Sequence, residues 1–260
     1  NAAGFSVTRL NQDESGALPP RSLPAEGAAS RGIVYLTPSH QFPRGIFMPL
    51  ARRLELINTL GSDGYILEDD YDSEFRFRGV PTEPLFALHP DRVIYMGSFS
   101  KSLFPALRLG FLVLPVALVS DFLAFKQTLF AVPPAFSQQA LARFLQRGYL
   151  EKHLFEMKRI YARRAEQIVD RLRSEFPGVQ LRGQECGYHL WARLPGRSFD
   201  QRFFDAAKRR GIATKGEGHY AFSDSIETDA LVLGYGNIRD EALGPGLDEL
   251  CTLIRSRQQS

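Results

Sequence analysis

The sequence predicts an α/β protein with a mainly parallel sheet in a large domain and a smaller α+β domain towards its C-terminal end. Short apolar runs bounded by Gly and Pro alternate with segments of helical periodicity, as in an α/β domain. A long amphipathic segment that ends at Pro177-Gly178 then divides the chain. We therefore expect a partial large domain over residues 1–148, a linking helix over 149–176 and a small domain over 177–260.

In the first half, the spacing predicts a helix from Pro49 to Leu60, with proline in its first turn and glycine past its end. Its apolar face is expected to comprise Leu50, Leu54 and Ile57. Residues 93–96 and 109–114 are short apolar runs and are predicted to be buried strands, with a polar turn or loop between them.

In the second half, helical periodicity continues from Ser137 to Gly148 and then along the linking helix. Further strands are predicted at Gly187–Leu194 and Ala230–Tyr235, and a helix at Phe199–Arg210. The tripeptide Gly244-Pro-Gly246 is expected to disturb the last helix.

Lys101 stands among small hydroxyls, after Ser98 and Ser100, and Arg108 follows seven positions later. Between two predicted strands, Lys101 is expected to be partly desolvated and near Arg108, which favours the neutral amine that forms Schiff bases. The two hydroxyls and the guanidinium suit a phosphate. The pattern resembles the cofactor-lysine motif of fold-type I pyridoxal-phosphate (PLP) enzymes. The alternative is that Lys101 and Arg108 are ordinary loop cations.

The segment from Gly64 to Phe75 runs from an apolar strand into carboxylates and a tyrosine. Because side chains alternate across a strand, Asp69 and Tyr71 are predicted to share a face and Asp70 to point to the other. A PLP site uses a carboxylate to keep the pyridine nitrogen protonated and a phenol to hydrogen-bond the ring oxygen. We assign these roles to Asp69 and Tyr71, although a bend at the strand end would exchange the two acids.

The same acids allow a different interpretation, a hard-cation site, because oxygen-rich clusters bind magnesium or calcium. The acids are Glu68, Asp69, Asp70, Asp72 and Glu74. The glycine turn and the ligand spacing of a calcium loop are missing, which favours the cofactor interpretation. For Asp72 and Glu74, a solvated acidic loop is a further alternative.

Three segments together identify a family. They are Thr37-Pro-Ser-His-Gln-Phe-Pro-Arg-Gly45, Glu68-Asp-Asp-Tyr-Asp-Ser-Glu-Phe-Arg76 and Gly97-Ser-Phe-Ser-Lys-Ser-Leu-Phe-Pro-Ala-Leu-Arg-Leu-Gly110. They closely resemble the MocR/GabR type of bacterial transcription regulator, which fuses a winged-helix DNA-binding domain of the GntR type to an aminotransferase-like, PLP-binding effector domain. The resemblance runs from about Gly32 to the C-terminal helix.

The resemblance implies the fold of type I PLP-dependent transferases, with pyridoxal 5′-phosphate held as an internal aldimine on Lys101. The other implied cofactor-binding residues are Asp69, Tyr71, Ser98, Ser100, Arg108 and His40. A small amino compound would displace the lysine as effector, in a homodimer that contacts DNA only through a winged-helix domain absent from this chain. The alternative function is a PLP-dependent class I/II aminotransferase, because both need the same lysine and the same ring contacts.

Two departures from the family pattern bear on function. Relatives carry a phosphate loop and a ring-stacking aromatic residue before the part seen here, so this chain is expected to form an incomplete cofactor site. Many relatives also have Leu-Arg-Leu-Gly-Phe near the C-terminus, whose arginine grips a substrate carboxylate. Here Val232 takes that place, which implies a differently anchored effector. Lys215 could offer a replacement cation, with His219 and Arg239 as weaker candidates.

The composition fits a cytoplasmic protein. Of the 260 residues, 44% are hydrophobic and 23% charged, enough for one large or two modest domains. No apolar stretch reaches transmembrane length and no signal segment opens the chain, so no membrane partner is expected. Cys186 and Cys251 show no metal or redox spacing, and the net charge of +3 is weak support for contact with nucleic acid.

Overall fold

The computed structural model describes residues 6–20, 32–60, 64–79, 82–129, 134–221 and 228–257. The chain divides into two compact units. The first comprises Asn1–Gln41, Ile46–Tyr71 and Thr82–Gln138, and the second comprises Phe42–Gly45, Asp72–Pro81 and Gln139–Ser260. The domain limits predicted at residues 148 and 176 stay predictions.

The first unit is built around a four-stranded sheet whose strands lie in the order β3 (Ile33–Leu36), β4 (Tyr65–Asp70), β5 (Val93–Ser98) and β6 (Gly110–Val113). Strands β3, β4 and β5 run parallel and β6 is antiparallel to β5, so the predicted α/β class with a mainly parallel sheet is confirmed. In chain order, the elements of the first half are β1 (Gln12–Asp13), β2 (Gly16–Ala17), β3 (Ile33–Leu36), α1 (Leu50–Thr59), β4 (Tyr65–Asp70), α2 (Leu85–Leu88), β5 (Val93–Ser98), α3 (Phe99–Ser102), β6 (Gly110–Val113), α4 (Val119–Thr128) and α5 (Ala135–Gln146).

Helix α1 packs on one face of this sheet, with Leu56 and Ile57 in the same apolar cluster as the strand residues Val34, Leu36 and Ile66. The predicted apolar face of the helix was right for Ile57, which is buried, and wrong for Leu50 and Leu54, which are 48% and 39% exposed. The physical reason is that a buried arginine, Arg53, lies on the packed side and sets the rotation of the helix about its axis.

Arg53 and Glu68 form a buried pair, and neither side chain is exposed at all. Arg53 donates to the backbone carbonyls of Met48 at 2.9 Å, Glu83 at 3.0 Å and Pro38 at 3.1 Å, and its Nη1 lies 3.9 Å from Glu68 Oε1. The Glu68 carboxylate also accepts from the two backbone N–H groups at the start of α2. Burial raises the pKa of Glu68, while those two hydrogen bonds and Arg53 oppose the rise.

The two apolar runs around Lys101 do form strands, but only one of them is buried. Val93 and Ile94 of β5 are in the core, as predicted. Phe111, Leu112 and Val113 of β6 are 42%, 45% and 37% exposed, which contradicts the prediction of a second buried strand. Because β6 lies at the edge of the sheet, its outer side has no neighbouring strand among the described residues.

The second unit contains a four-stranded antiparallel sheet whose strands lie in the order β7 (Gln180–Arg182), β8 (His189–Arg193), β10 (Ala230–Gly234) and β9 (Lys215–Gly216). Its elements are α6 (Tyr149–Glu175), β7 (Gln180–Arg182), β8 (His189–Arg193), α7 (Gln201–Arg209), β9 (Lys215–Gly216), β10 (Ala230–Gly234) and α8 (Asp240–Arg255). Leu190, Leu231 and Leu233 of the sheet share one core with residues of the three helices. The predicted strands and helix here are present with slightly shorter bounds.

Helix α6 is long but amphipathic. Its buried stripe includes Tyr161, Ile168 and Leu172, three of the residues that the periodicity singled out. In the described parts of the chain, no helix combines the length and the apolar character that crossing a bilayer requires.

Helix α8 continues through Gly244-Pro-Gly246, so the expected disturbance was wrong. Pro245 lies only five residues after the first residue of the helix, and its missing N–H removes a single hydrogen bond to the carbonyl four residues earlier. Leu243 and Leu247 are buried on either side of it and hold both flanks on the core.

The buried pair gives a stability prediction. Arg53→Ala should lower the free energy of unfolding by about 3 to 5 kcal/mol, because it leaves Glu68 buried without its cation and three carbonyls without their donor. Arg53→Lys should recover only part of this, since an ammonium lacks the planar fork. Urea unfolding would measure both, with the exposed Lys126→Ala on α4 as control, expected within about 0.5 kcal/mol of wild type. An Arg53→Ala midpoint equal to that of the control would contradict the assignment.

Candidate functional site

The candidate cofactor residues of the first unit lie near the carboxyl ends of the neighbouring parallel strands β4 and β5. Asp69 of β4 is paired with Met96 of β5. Ser98, two residues beyond Met96, therefore lies on the same face of the sheet as Asp69. Lys101 follows on α3, which begins directly after β5. The carboxyl ends of parallel strands are where open α/β sheets bind their ligands.

Asp69 is half-buried and is held by a tyrosine. Its Oδ2 accepts a 2.5 Å hydrogen bond from the hydroxyl of Tyr35. Burial raises the pKa of Asp69, and the neighbouring Asp70 adds to the rise, whereas the Tyr35 hydrogen bond opposes it. A carboxylate in this position gains from a cationic partner, because such a partner would offset the cost of its partial desolvation.

Tyr35 is a residue that sequence analysis missed. It lies on β3, next to β4 in the sheet, and its partner in the ladder is Leu67, two residues before Asp69. Partial burial, together with the Asp69 carboxylate, raises the pKa of Tyr35, so it stays a protonated donor. The available signal was alternation along β3, which places exposed Tyr35 between buried Val34 and Leu36.

Asp70 points to the other face of the sheet from Asp69. It is buried and accepts a 2.8 Å hydrogen bond from Tyr95 of β5. The three acids therefore have different partners. Glu68 interacts with Arg53 and the start of α2, Asp69 accepts from Tyr35, and Asp70 accepts from Tyr95. This divergence argues against one ion shared by these three acids.

Tyr71 and His40 lie side by side. The Tyr71 hydroxyl donates to the backbone carbonyl of His40 at 2.5 Å, and the two rings stack with their centroids 6.3 Å apart. The phenolic oxygen keeps its capacity to accept, but its proton is directed at the protein backbone. The predicted role of Tyr71 as a donor to a cofactor oxygen would require this hydrogen bond to be exchanged.

Lys101 is exposed, so the expected partial desolvation of its amine is not found in this chain. It lies in the single turn of α3 rather than in an irregular loop. Ser98 caps that turn, accepting a 3.1 Å hydrogen bond from the backbone N–H of Ser100. A Cβ at Gly97, the residue before it, would lie 2.3 Å from the Phe111 ring, so a larger residue there would displace that ring.

Arg108 is exposed and has the left-handed backbone conformation, with φ 52° and ψ 33°. Residues other than glycine rarely adopt this conformation, and doing so costs about 1 kcal/mol or more. It ends the short 3₁₀ turn at Pro105–Leu107, two residues before β6 begins.

The side chains of this site match the chemical groups of PLP. An ionised carboxylate suits a protonated pyridine nitrogen, an accessible amine suits an aldehyde, and hydroxyls with a guanidinium suit a phosphate. The carboxylate of Asp69, the amine of Lys101, the hydroxyls of Ser98 and Ser100 and the guanidinium of Arg108 supply this set within the first unit.

Comparisons with known proteins place the fold in a family. Residues 33–220 match the family described as aminotransferase class I and II. The chain is 34% identical over 251 residues to the uncharacterised HTH-type transcriptional regulator YhdI of Bacillus subtilis, covering 95% of this chain and 52% of the relative. It is 35% identical to the probable rhizopine catabolism regulatory protein MocR of Rhizobium meliloti, covering 92% and 49%.

A solved structure agrees with this placement. Kynurenine aminotransferase of Pyrococcus horikoshii matches with a TM-score of 0.76 and 29% identity, over 86% of this chain and 56% of that one. The chain thus spans about half the length of the relatives it matches. The similarity to MocR-type regulators that the sequence motifs predicted is confirmed.

The raised pKa of Asp69 predicts a pH-dependent stability difference. The folded protein holds the Asp69 proton more tightly than the unfolded chain, so the resulting stabilisation is complete below about pH 4 and is lost as pH rises through the folded pKa. Asn mimics the protonated acid. Without cofactor, Asp69→Asn should match wild type near pH 4 and exceed its stability near pH 7 by roughly 1 kcal/mol or less. Urea unfolding near both pH values tests this, and a difference that is independent of pH would refute it.

Proposed function

Because the chain belongs to the aminotransferase class I and II family, we propose that it is the PLP-binding, effector-sensing domain of a MocR/GabR-type transcription regulator. The observation that carries this proposal is the placement of Asp69 and Ser98 on one face of neighbouring strand ends, with Lys101 immediately beyond. The names of the regulator relatives support the regulatory role.

PLP, when bound, supplies an aldehyde that reacts with amines and a ring that withdraws electrons. In the proposal, the amine of Lys101 holds the cofactor, and the Asp69 carboxylate pairs with the pyridine nitrogen. Ser98, Ser100 and Arg108 hold the phosphate, while Tyr71 and His40 line the ring.

The exposed position of Lys101 fits a residue that an effector can displace. A small amino compound would compete with the lysine amine for the same partner, and the lysine, on the first turn after β5, would stay nearby. Tyr35 has a supporting role, because its hydrogen bond fixes the Asp69 carboxylate and leaves Oδ1 for a second partner.

The second candidate function is a PLP-dependent aminotransferase, favoured by the similarity to the kynurenine aminotransferase structure. In that case Lys101 would also carry a proton to and from the substrate carbon. Val232, buried in β10 where many relatives have a carboxylate-binding arginine, favours the regulator.

The proposal extends to location and partners. The protein would act in the cytoplasm as a homodimer, and it would contact DNA through a winged-helix domain outside this chain. The span of about half the relatives' length supports a longer natural protein.

The assignment of Lys101 predicts a covalent readout. Wild type mixed with PLP should show imine absorbance near the visible edge, and borohydride should leave a pyridoxyl group on Lys101, found by peptide mass mapping. Lys101→Ala should lose both, whereas Lys126→Ala, another exposed lysine of the same unit, should keep both. If Lys101→Ala kept the full imine absorbance with PLP, the assignment of Lys101 would be wrong.

The two faces of β4 predict a second difference. Asp69→Asn should weaken PLP binding by roughly tenfold or more, because a neutral amide cannot pair with a pyridinium. Asp70→Asn faces Tyr95 on the other side and should bind PLP much closer to wild type. Absorbance titrations with PLP compare the two, and the reverse order of affinities would show that the wrong acid has been chosen.

A further inference from the structure

The hydroxyl of Tyr35 is the one hydrogen-bond donor that the described part of the chain directs at the Asp69 carboxylate. In the register of β3 and β4, Tyr35 lies opposite Leu67, two residues before Asp69. Paired residues share a face of the sheet and successive residues alternate, so all three lie on one face. Diagonal neighbours of this kind are within reach of an aromatic side chain, and the hydroxyl lies 2.5 Å from Oδ2 of Asp69.

A phenol donates to a carboxylate without neutralising its charge. Tyr35 stays protonated, because partial burial and the Asp69 carboxylate raise its pKa. Asp69 therefore keeps its full negative charge, whereas Glu68, the residue before it, has the cation of Arg53 beside it. Oδ1 of Asp69 accepts no hydrogen bond from the described residues, so one oxygen of a charged carboxylate is available to an N–H donor.

Three influences decide whether Asp69 is ionised. Burial raises its pKa most, and the neighbouring Asp70, on the other face of β4, adds to the rise. The hydrogen bond from Tyr35 lowers the pKa, because it stabilises the ionised form. On the β5 side the ladder neighbour of Asp69 is Met96, which carries no charge. Among the described residues, Tyr35 is thus the group that favours the ionised form of Asp69.

We propose that Tyr35 is a positioning residue for the cofactor, which keeps Asp69 ionised and leaves Oδ1 for the pyridine nitrogen. A protonated pyridine nitrogen donates one hydrogen bond, which matches the one oxygen that is left. The inference rests on the proposed function, which supplies the ring. It adds the residue that sets the pH range over which Asp69 can pair with that ring. Tyr35 and Asp69 both belong to the first unit.

The carboxyl titration of PLP-free protein tests the effect on ionisation. With ¹³C at the aspartate carboxyl groups, Asp69→Asn identifies the Asp69 resonance by its loss. Tyr35→Phe keeps the ring and removes only the hydroxyl, so the titration midpoint of Asp69 should lie at higher pH than in wild type. Tyr65→Phe is the matched control. Tyr65 lies on the same face of β4, about 13 Å along the strand from Asp69, and its variant should keep the wild-type midpoint.

Absorbance titrations with PLP test the effect on the cofactor. At about pH 8, Tyr35→Phe should bind PLP roughly threefold to tenfold more weakly than wild type, the effect of one lost hydrogen bond. The ratio of the two affinities should grow as pH falls towards about pH 5, because Asp69 takes up its proton at a higher pH in the variant. A change in packing alone would weaken binding by the same factor at both pH values.

The inference is overturned if Asp69 has the same midpoint in Tyr35→Phe and Tyr65→Phe, or if the affinity ratio does not change with pH. Its failure is separable from failure of the proposed function, because the carboxyl titration is read without PLP. A missing pyridoxyl adduct on Lys101 in wild type would count against the proposed function. An adduct on wild-type Lys101 together with an unshifted midpoint in Tyr35→Phe would overturn only the role of Tyr35.

Discussion

The buried Arg53–Glu68 pair is the interaction on which the first unit depends. Arg53 fastens the backbone after β3 and the segment before α2, and Glu68 fastens the start of α2. Both charges lie in the core, so their satisfaction fixes the positions of several loops at once. Glu68 is also the residue before Asp69, which means that the same pair sets where the candidate acid stands.

Strand β4 shows how acidic side chains at three consecutive positions serve different purposes. Glu68 and Asp70 face inwards. Glu68 interacts with Arg53 and the start of α2, and Asp70 accepts a hydrogen bond from Tyr95. Asp69 faces outwards, and among the bonds described above its carboxylate accepts only from the hydroxyl of Tyr35. The pKa of Asp69 is raised chiefly by burial, which makes it responsive to an incoming cation. Alternation along the strand therefore places the two carboxylates with structural partners on one face and the candidate cofactor-binding carboxylate on the other.

Much of this could be predicted from the sequence, because periodicity and alternation are local properties. The strands, the long helix and the opposite faces of Asp69 and Asp70 follow from spacing. The rotation of α1 did not follow, since a hydrophobic pattern gives no reason to bury Arg53. The exposure of Lys101 and of β6 could not be inferred either, because it depends on which other segments cover them. The contact between Tyr35 and Asp69 arises from the register of two strands that are far apart in the chain, which a single sequence does not display.

The edge strand β6 has a practical consequence. Its outer backbone N–H and C=O groups have no strand partner in the described part of the chain, and apolar side chains flank them on both faces. Such an edge is a template for adding any extended segment, including the same strand of another molecule. We therefore expect the isolated chain to aggregate as its concentration rises. A charged residue in place of Leu112 is the simplest substitution that would oppose this aggregation.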